Sequence, residues 1–173
     1  MCAADRLRAS GYCPPVNAQT ASRLATVVVR VAAETTGYIH IDSSVDVRAL
    51  ASTLELLSEP SDHHVADIAG GATLLAANDT ELHVVDYVGT TDGASARWTS
   101  RSHLLRCGTV RLDTQQHAPR EFGVVVENRW TFTFQSGSAI VIGNDRLQRP
   151  DDRFDAGERF ARTITERIRG VTE

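Results

Sequence analysis

The sequence predicts an α+β protein: a strongly bent antiparallel barrel or sheet of about seven or eight strands, capped by a C-terminal amphipathic helix and preceded by one or two helices. Three observations carry this. Apolar residues recur at helical spacing through Leu57, and the period changes to two from Val65. Phe160, Ile164 and Ile168 then restore helical spacing at the end of the chain. The links between strand-like runs are too short for parallel crossovers, so the sheet must be antiparallel.

Residues 1–19 read as a loose arm, punctuated by Gly11, Pro14, Pro15 and Asn17. Thr20 can cap a first helix, in which Leu24, Val27, Val28, Val31 and Ala32 share one face and which Gly37 stops. The β-branched run through Val27, Val29 and Val31 admits a strand as the competing reading. Ser44 can cap a second helix bearing the stripe Val47, Leu50, Ala51, Leu54 and Leu57, ended by Pro60. Residues 20–60 then form a helical extension, and residues 61–173 the sheet domain with its closing helix.

Strands are expected at 64–69, 72–77, 80–88, 95–100, 103–113, 120–126, 129–135 and 138–143. Gly70-Gly71, Asn78-Asp79, Glu127-Asn128 and Ser136-Gly137 read as two-residue hairpin links, because Gly and Asn accept the positive φ of tight turns. Trp130, Phe132 and Phe134 alternate with Arg129, Thr131, Thr133 and Gln135, and Ile140 and Ile142 share a face on the partner strand. That hairpin should anchor the core. Pro150 precedes a final helix expected from about Ala156, with Asp155 and Glu158 as an acidic capping box. Its Arg159, Arg162, Arg167 and Arg169 occupy other faces or the C-terminal end, where cations are favoured.

Composition excludes more than it assigns. The 173 residues and 18.8 kDa suit one domain or one domain with a helical extension. All 18 basic residues are Arg, so P-loop, Schiff-base and kinase-type lysine chemistry is impossible. A GC-rich, actinobacterial-type coding bias accounts for that absence. A net charge of −4 argues against strong nucleic-acid binding. The charge is uneven: residues 1–92 hold 5 Arg against 12 acidic residues, whereas residues 93–149 hold 8 Arg against 4. Cys2, Cys13 and Cys107 form neither a disulfide framework nor a zinc pattern, so a cytoplasmic setting is expected. The N-terminus shows no export signal, and the apolar stretch Ala25–Ala33, broken by Arg30, is too short to span a membrane.

From Val45 to Ile168 the order of elements resembles bacterial pleckstrin-homology-like domains. The helix Val47–Leu57, the strands His64–Ala69, Ala72–Ala77 and Glu81–Tyr87, the stretch His103–Leu112, the hairpin around Ser136-Gly137 and the closing helix carry the resemblance. It rests on order and length, since such domains share apolar positions and no signature peptide. It implies a bent barrel plugged by the last helix, and a binding or scaffolding role without catalysis. It does not imply phosphoinositide binding, because the Gly70-Gly71 and Asn78-Asp79 loops lack the basic residues of lipid-binding members.

The leading expectation is therefore a non-enzymatic protein-interaction module. Its partner, a protein, would dock on an Arg-rich sheet face (Arg97, Arg101, Arg106, Arg111, Arg129, with Arg120 nearby) or extend along a sheet edge. The same face solvated and balanced by acids is the plainer reading. The first alternative is a small-ligand or enzymatic pocket lined by His83, Tyr87 and His103. The second is a weak anionic-surface or nucleic-acid binder through the 97–129 arginines. A homodimer through an exposed edge is a further expectation. Asp62-His63-His64 with Asp67 is poor chelating geometry, because neighbouring strand residues face opposite sides. Cys107 beside Arg106 reads as a packed thiol rather than a nucleophile. No metal, cofactor or catalytic residue is expected.

Overall fold

The computed structural model describes residues 14–36, 43–68, 71–89, 96–117, 125–143 and 152–170. They fall into two compact units, the first ending at Ser102 and the second beginning at His103. Among the described residues, seven strands make two antiparallel sheets, one of four strands and one of three, and not one closed barrel. The expected domain boundary after residue 60 lies inside the first unit.

The first unit opens with Pro14–Asn17, the end of the expected loose arm, which is held down. Val16 is buried and its N–H donates to the Leu57 carbonyl, while the Glu59 N–H donates to the Pro14 carbonyl. Helix α1 spans Ala18–Thr36. Its cap is Asn17, not Thr20: the Asn17 Oδ1 accepts from the Thr20 N–H at 2.9 Å, the usual N-cap bond to the third helical residue. Leu24, Val28, Val31 and Ala32 are buried as the spacing predicts, joined by Ala21, Ala25 and Val29. Helical packing overrides the strand preference of the valines. Helix α2, Ser43–Leu54, buries Leu50, Ala51 and Leu54 against α1. Ser44 lies inside α2, and Gly37 falls outside the described residues.

The first sheet has the order β1-β2-β3-β4: β1 Asp62–Ile68, β2 Gly71–Ala77, β3 Glu81–Gly89 and β4 Ala96–Leu104. In register, Ala72, Leu74 and Ala76 oppose Tyr87, Val85 and His83. These side chains face the helices, and all except His83 join the core formed with α1 and α2. Leu75, Ala77, Leu82 and Val84, on the other face, are buried too, which explains why β2 is a continuous small and aliphatic run. The β2–β3 turn is an Asx turn, with the Asn78 Oδ1 accepting from the Thr80 and Glu81 N–H groups at 2.9 and 2.8 Å.

A single 3-10 turn, Leu105–Cys107, separates β4 from β5, which spans Gly108–His117. The expected strand 103–113 is thus broken. Leu105 is buried, and the Gly108 N–H closes the turn on the Leu105 carbonyl. This break ends the four-strand sheet and starts the three-strand one, and it is where the expected continuous barrel fails.

The second sheet has the order β5-β6-β7, with β6 Val125–Phe134 and β7 Ala139–Gly143. Glu127-Asn128 is not a turn. Gln115 pairs with Glu127 and Thr114 with Asn128, so the expected strands 120–126 and 129–135 are one long β6 in its described part. Turn-forming residue types were overridden there by cross-strand pairing, with the Thr114 hydroxyl donating to the Asn128 Oδ1 at 3.0 Å. The Ser136-Gly137 link is a hairpin turn, with Gly137 at φ +77° and its N–H bonded to the Phe134 carbonyl. Helix α3, Asp152–Arg169, starts before the expected Asp155 cap. Glu158 instead accepts from Arg162, one turn on, at 2.7 Å. Phe160, Ala161 and Ile164 are buried in the unit that also buries Trp130, Phe132, Phe134, Ile140 and Ile142, and α3 touches β5, β7 and the 3-10 turn.

Candidate functional site

The expected arginines are divided between the two units. Arg97 and Arg101 lie on β4 in the first unit; Arg106 sits in the 3-10 turn, and Arg111 and Arg129 on β5 and β6, in the second. Arg101 is held by Asp86 at 3.1 Å, and Asp86 also accepts from the Thr73 hydroxyl. Arg111 is held by Asp113 at 2.7 Å, and Asp113 is also the residue directly opposite Arg129 in the β5–β6 register. An acid thus pairs with one arginine in each unit, Arg101 in the first and Arg111 in the second. Arg120 falls outside the described residues.

The expected pocket residues are likewise divided between the two units. His83 and Tyr87 share the helix-facing side of β3, as their even spacing requires, whereas His103 belongs to the second unit and stacks on Phe134 with ring centres 4.5 Å apart. Tyr87 is fully buried and donates its hydroxyl to Asp46 on α2 at 3.0 Å. Burial and the Asp46 carboxylate both push that phenol far above its usual range. Beside it, the Trp98 indole N–H donates to the Thr53 hydroxyl at 3.1 Å. These contacts tie α2 to the sheet. His83 is 3% exposed, with Nδ1 2.6 Å from the Ser102 Oγ and Nε2 3.7 Å from a Glu81 carboxylate oxygen. Burial lowers its pKa, against the pull of Glu81.

The second unit contains a groove that the sequence reading missed. It holds about 220 Å³ between sheet and helix, lined by Val110, Leu112, Asn128 and Trp130 from β5 and β6 and by Arg162, Thr165, Glu166 and Arg169 from α3. Trp130 forms the buried back wall, while Leu112 on β5 is 52% exposed. An apolar side chain half in water on a strand facing a helix is what an occupant would cover. Arg169, in the last turn of α3, has no acidic partner among the described residues. The pairing of Val110 with Phe132 and Leu112 with Trp130 places all four on one sheet face. Val110 and Leu112 alternate visibly in the sequence, so the apolar floor was findable; its juxtaposition with Arg169 needed the helix position.

Among the described residues no His, Cys, Asp and Glu cluster could hold a metal ion, and no helix is long and apolar enough to cross a membrane. No protein-family model, curated protein or solved structure matches the chain.

Proposed function

We propose that this protein is an interaction module that takes an extended acidic peptide along β5, with an apolar side chain of the peptide seated in the groove beside α3. One observation carries the reading: β5 is an edge strand of its sheet, and the residues it turns into the groove, Val110 and Leu112, are the incompletely covered ones. An edge strand offers unpaired backbone donors and acceptors, so a peptide strand gains main-chain hydrogen bonds while its alternate side chains enter the groove. Arg169, which has no acidic partner among the described residues, favours an acidic residue in the peptide by charge, whereas Arg162 is already held by Glu158. The reading keeps the interaction role expected from the sequence and moves its site from the arginine face to the groove. Element order, strands followed by an amphipathic helix, is what remains of the pleckstrin-homology-like resemblance, whose single barrel is replaced by two sheets. The sparse, odd-numbered cysteine set supports a cytoplasmic setting.

The test is selection from a display library of random peptides on the full chain, followed by fluorescence-polarisation titration of the winners. Selected peptides should alternate apolar and acidic residues. Their binding should be lost in Leu112→Glu and Arg169→Glu and kept in Arg101→Glu. A failed selection, or equal binding to Leu112→Glu, overturns the reading. Concentration-dependent dimerisation abolished by Leu112→Glu would replace the peptide with a second copy of this chain.

A further inference from the structure

We infer that Ser102, His83 and Glu81 form a nucleophile–base–carboxylate line that transfers the acyl group of a small, unhindered ester to water. The inference concerns the first unit and is independent of the groove.

Ser102 is an exposed residue on β4, the outer strand of the first sheet. Its Oγ lies 2.6 Å from the His83 Nδ1, which is a short hydrogen bond and the contact a general base needs with a hydroxyl nucleophile. On the far side of the ring, Nε2 faces the Glu81 Oε2 at 3.7 Å. That Nε2 is buried and has no hydrogen-bond partner of its own, so the carboxylate is the group that sets its proton. A carboxylate beside Nε2 favours the tautomer with hydrogen there, and leaves the Nδ1 lone pair for the serine proton. Glu81 is itself fixed, because the Ser58 hydroxyl donates to the same Oε2 at 3.1 Å. Opposite His83 in the β2–β3 register stands Ala76, too small to crowd the ring. Burial holds the imidazole in its neutral, basic form at neutral pH.

The chemistry balances with water as the only co-reactant. The Ser102 Oγ adds to the ester carbonyl carbon as its proton passes to Nδ1. The bond from that carbon to the alcohol oxygen breaks, and the departing oxygen takes the proton from Nδ1. Water then adds to the acyl carbon, gives one proton to Nδ1, and Ser102 leaves and recovers it. The products are a carboxylic acid and an alcohol. Ser102 is exposed while its hydrogen bond to the buried His83 is half-buried, so the ester that reaches the Oγ must be small, with an unhindered carbonyl. The arrangement departs from the non-catalytic role expected of the sequence, where no short motif encodes it: Ser102 and His83 are 19 residues apart and meet only across β3 and β4.

The experiment is labelling of the full-length folded chain with a fluorophosphonate, read by intact mass and peptide mapping. A single adduct on Ser102 is expected, absent in Ser102→Ala and formed several-fold more slowly in Glu81→Gln. Hydrolysis of p-nitrophenyl acetate above buffer should fall about a hundredfold in Ser102→Ala, the typical weight of base-assisted attack. Ser102 is exposed, so an unchanged thermal melt of Ser102→Ala will show that the fold is intact. No adduct on the wild-type chain, or an adduct that survives in Ser102→Ala, overturns the inference.

Discussion

The hydroxyl of Tyr87 donates to the carboxylate of Asp46 across 3.0 Å, joining the C-terminal end of β3 to the first turn of α2 over 41 residues of sequence. The bond has a charged acceptor, and the ring bearing it is fully buried. Tyr87→Phe keeps the ring packed and deletes only the donor. It should cost about 1–2 kcal/mol, the low end for a bond to a charged group that is partly solvated. Urea midpoints of the wild type and Tyr87→Phe measure this. An unchanged midpoint would mean that water replaces the contact without loss.

His83 makes the fold acid-sensitive. Burial lowers its pKa below the ordinary 6.5, so between that value and the lower folded one the unfolded chain binds a proton that the folded chain refuses. Stability is therefore undiminished above about 6.5 and falls as the pH drops through that window. His63 and His64, both shifted down chiefly by burial, act in the same direction. The thermal midpoint should decline from pH ~7.5 to ~5.5, and His83→Gln should flatten part of that slope. An identical slope in the variant would assign the acid sensitivity elsewhere.

Trp130 closes the back of the groove and is 4% exposed, between Leu112 and Ile142 in register. Trp130→Ala should cost about 3–5 kcal/mol, the usual range for a buried aromatic. Chemical denaturation of the full chain reads it. A loss below about 1 kcal/mol would show that the sheet collapses around the vacancy.

Gly108 is required by packing. A Cβ at this position would lie 2.8 Å from the Phe134 Cε1 and 3.1 Å from the Ile168 Cδ1. Gly108→Ala should therefore destabilise by about 1–3 kcal/mol through overpacking. Gly143→Ala, which meets nothing within 4 Å, serves as the matched control and should be close to neutral.

The Arg101–Asp86 pair should contribute little. The Arg101 side chain is 48% exposed, and Asp86 keeps the Thr73 hydroxyl if the arginine is removed. Arg101→Ala should shift stability by less than about 1 kcal/mol, with any effect fading in high salt. A larger, salt-independent loss would make the pair part of the core.

Periodicity was enough to read the elements themselves. The i, i+4 and i+8 placement of Phe160, Ile164 and Ile168 can be satisfied only on one helix face, and Trp130, Phe132 and Phe134 can share a face only on a strand. What local pattern could not decide was competition between local and distant partners. Asn17 beat Thr20 as the cap because its backbone and side chain are also held by Glu59, 42 residues away. Glu127-Asn128 has turn chemistry, yet ten consecutive pairings with β5 keep it extended. The break at Leu105–Cys107, which divides seven strands into two sheets, has no turn residue before Gly108 to announce it. The same holds for the sites. Arginine at alternate positions was legible as a basic face, but the acids that neutralise it arrive from Asp86 on a neighbouring strand and Asp113 on the same one. The contact of Ser102 with His83, and the meeting of Leu112 with Arg169, depend on which strands and helix lie side by side. Side-chain spacing along a chain is set by covalent geometry and can be read directly; neighbours across space are selected by the burial and hydrogen bonding of the whole fold.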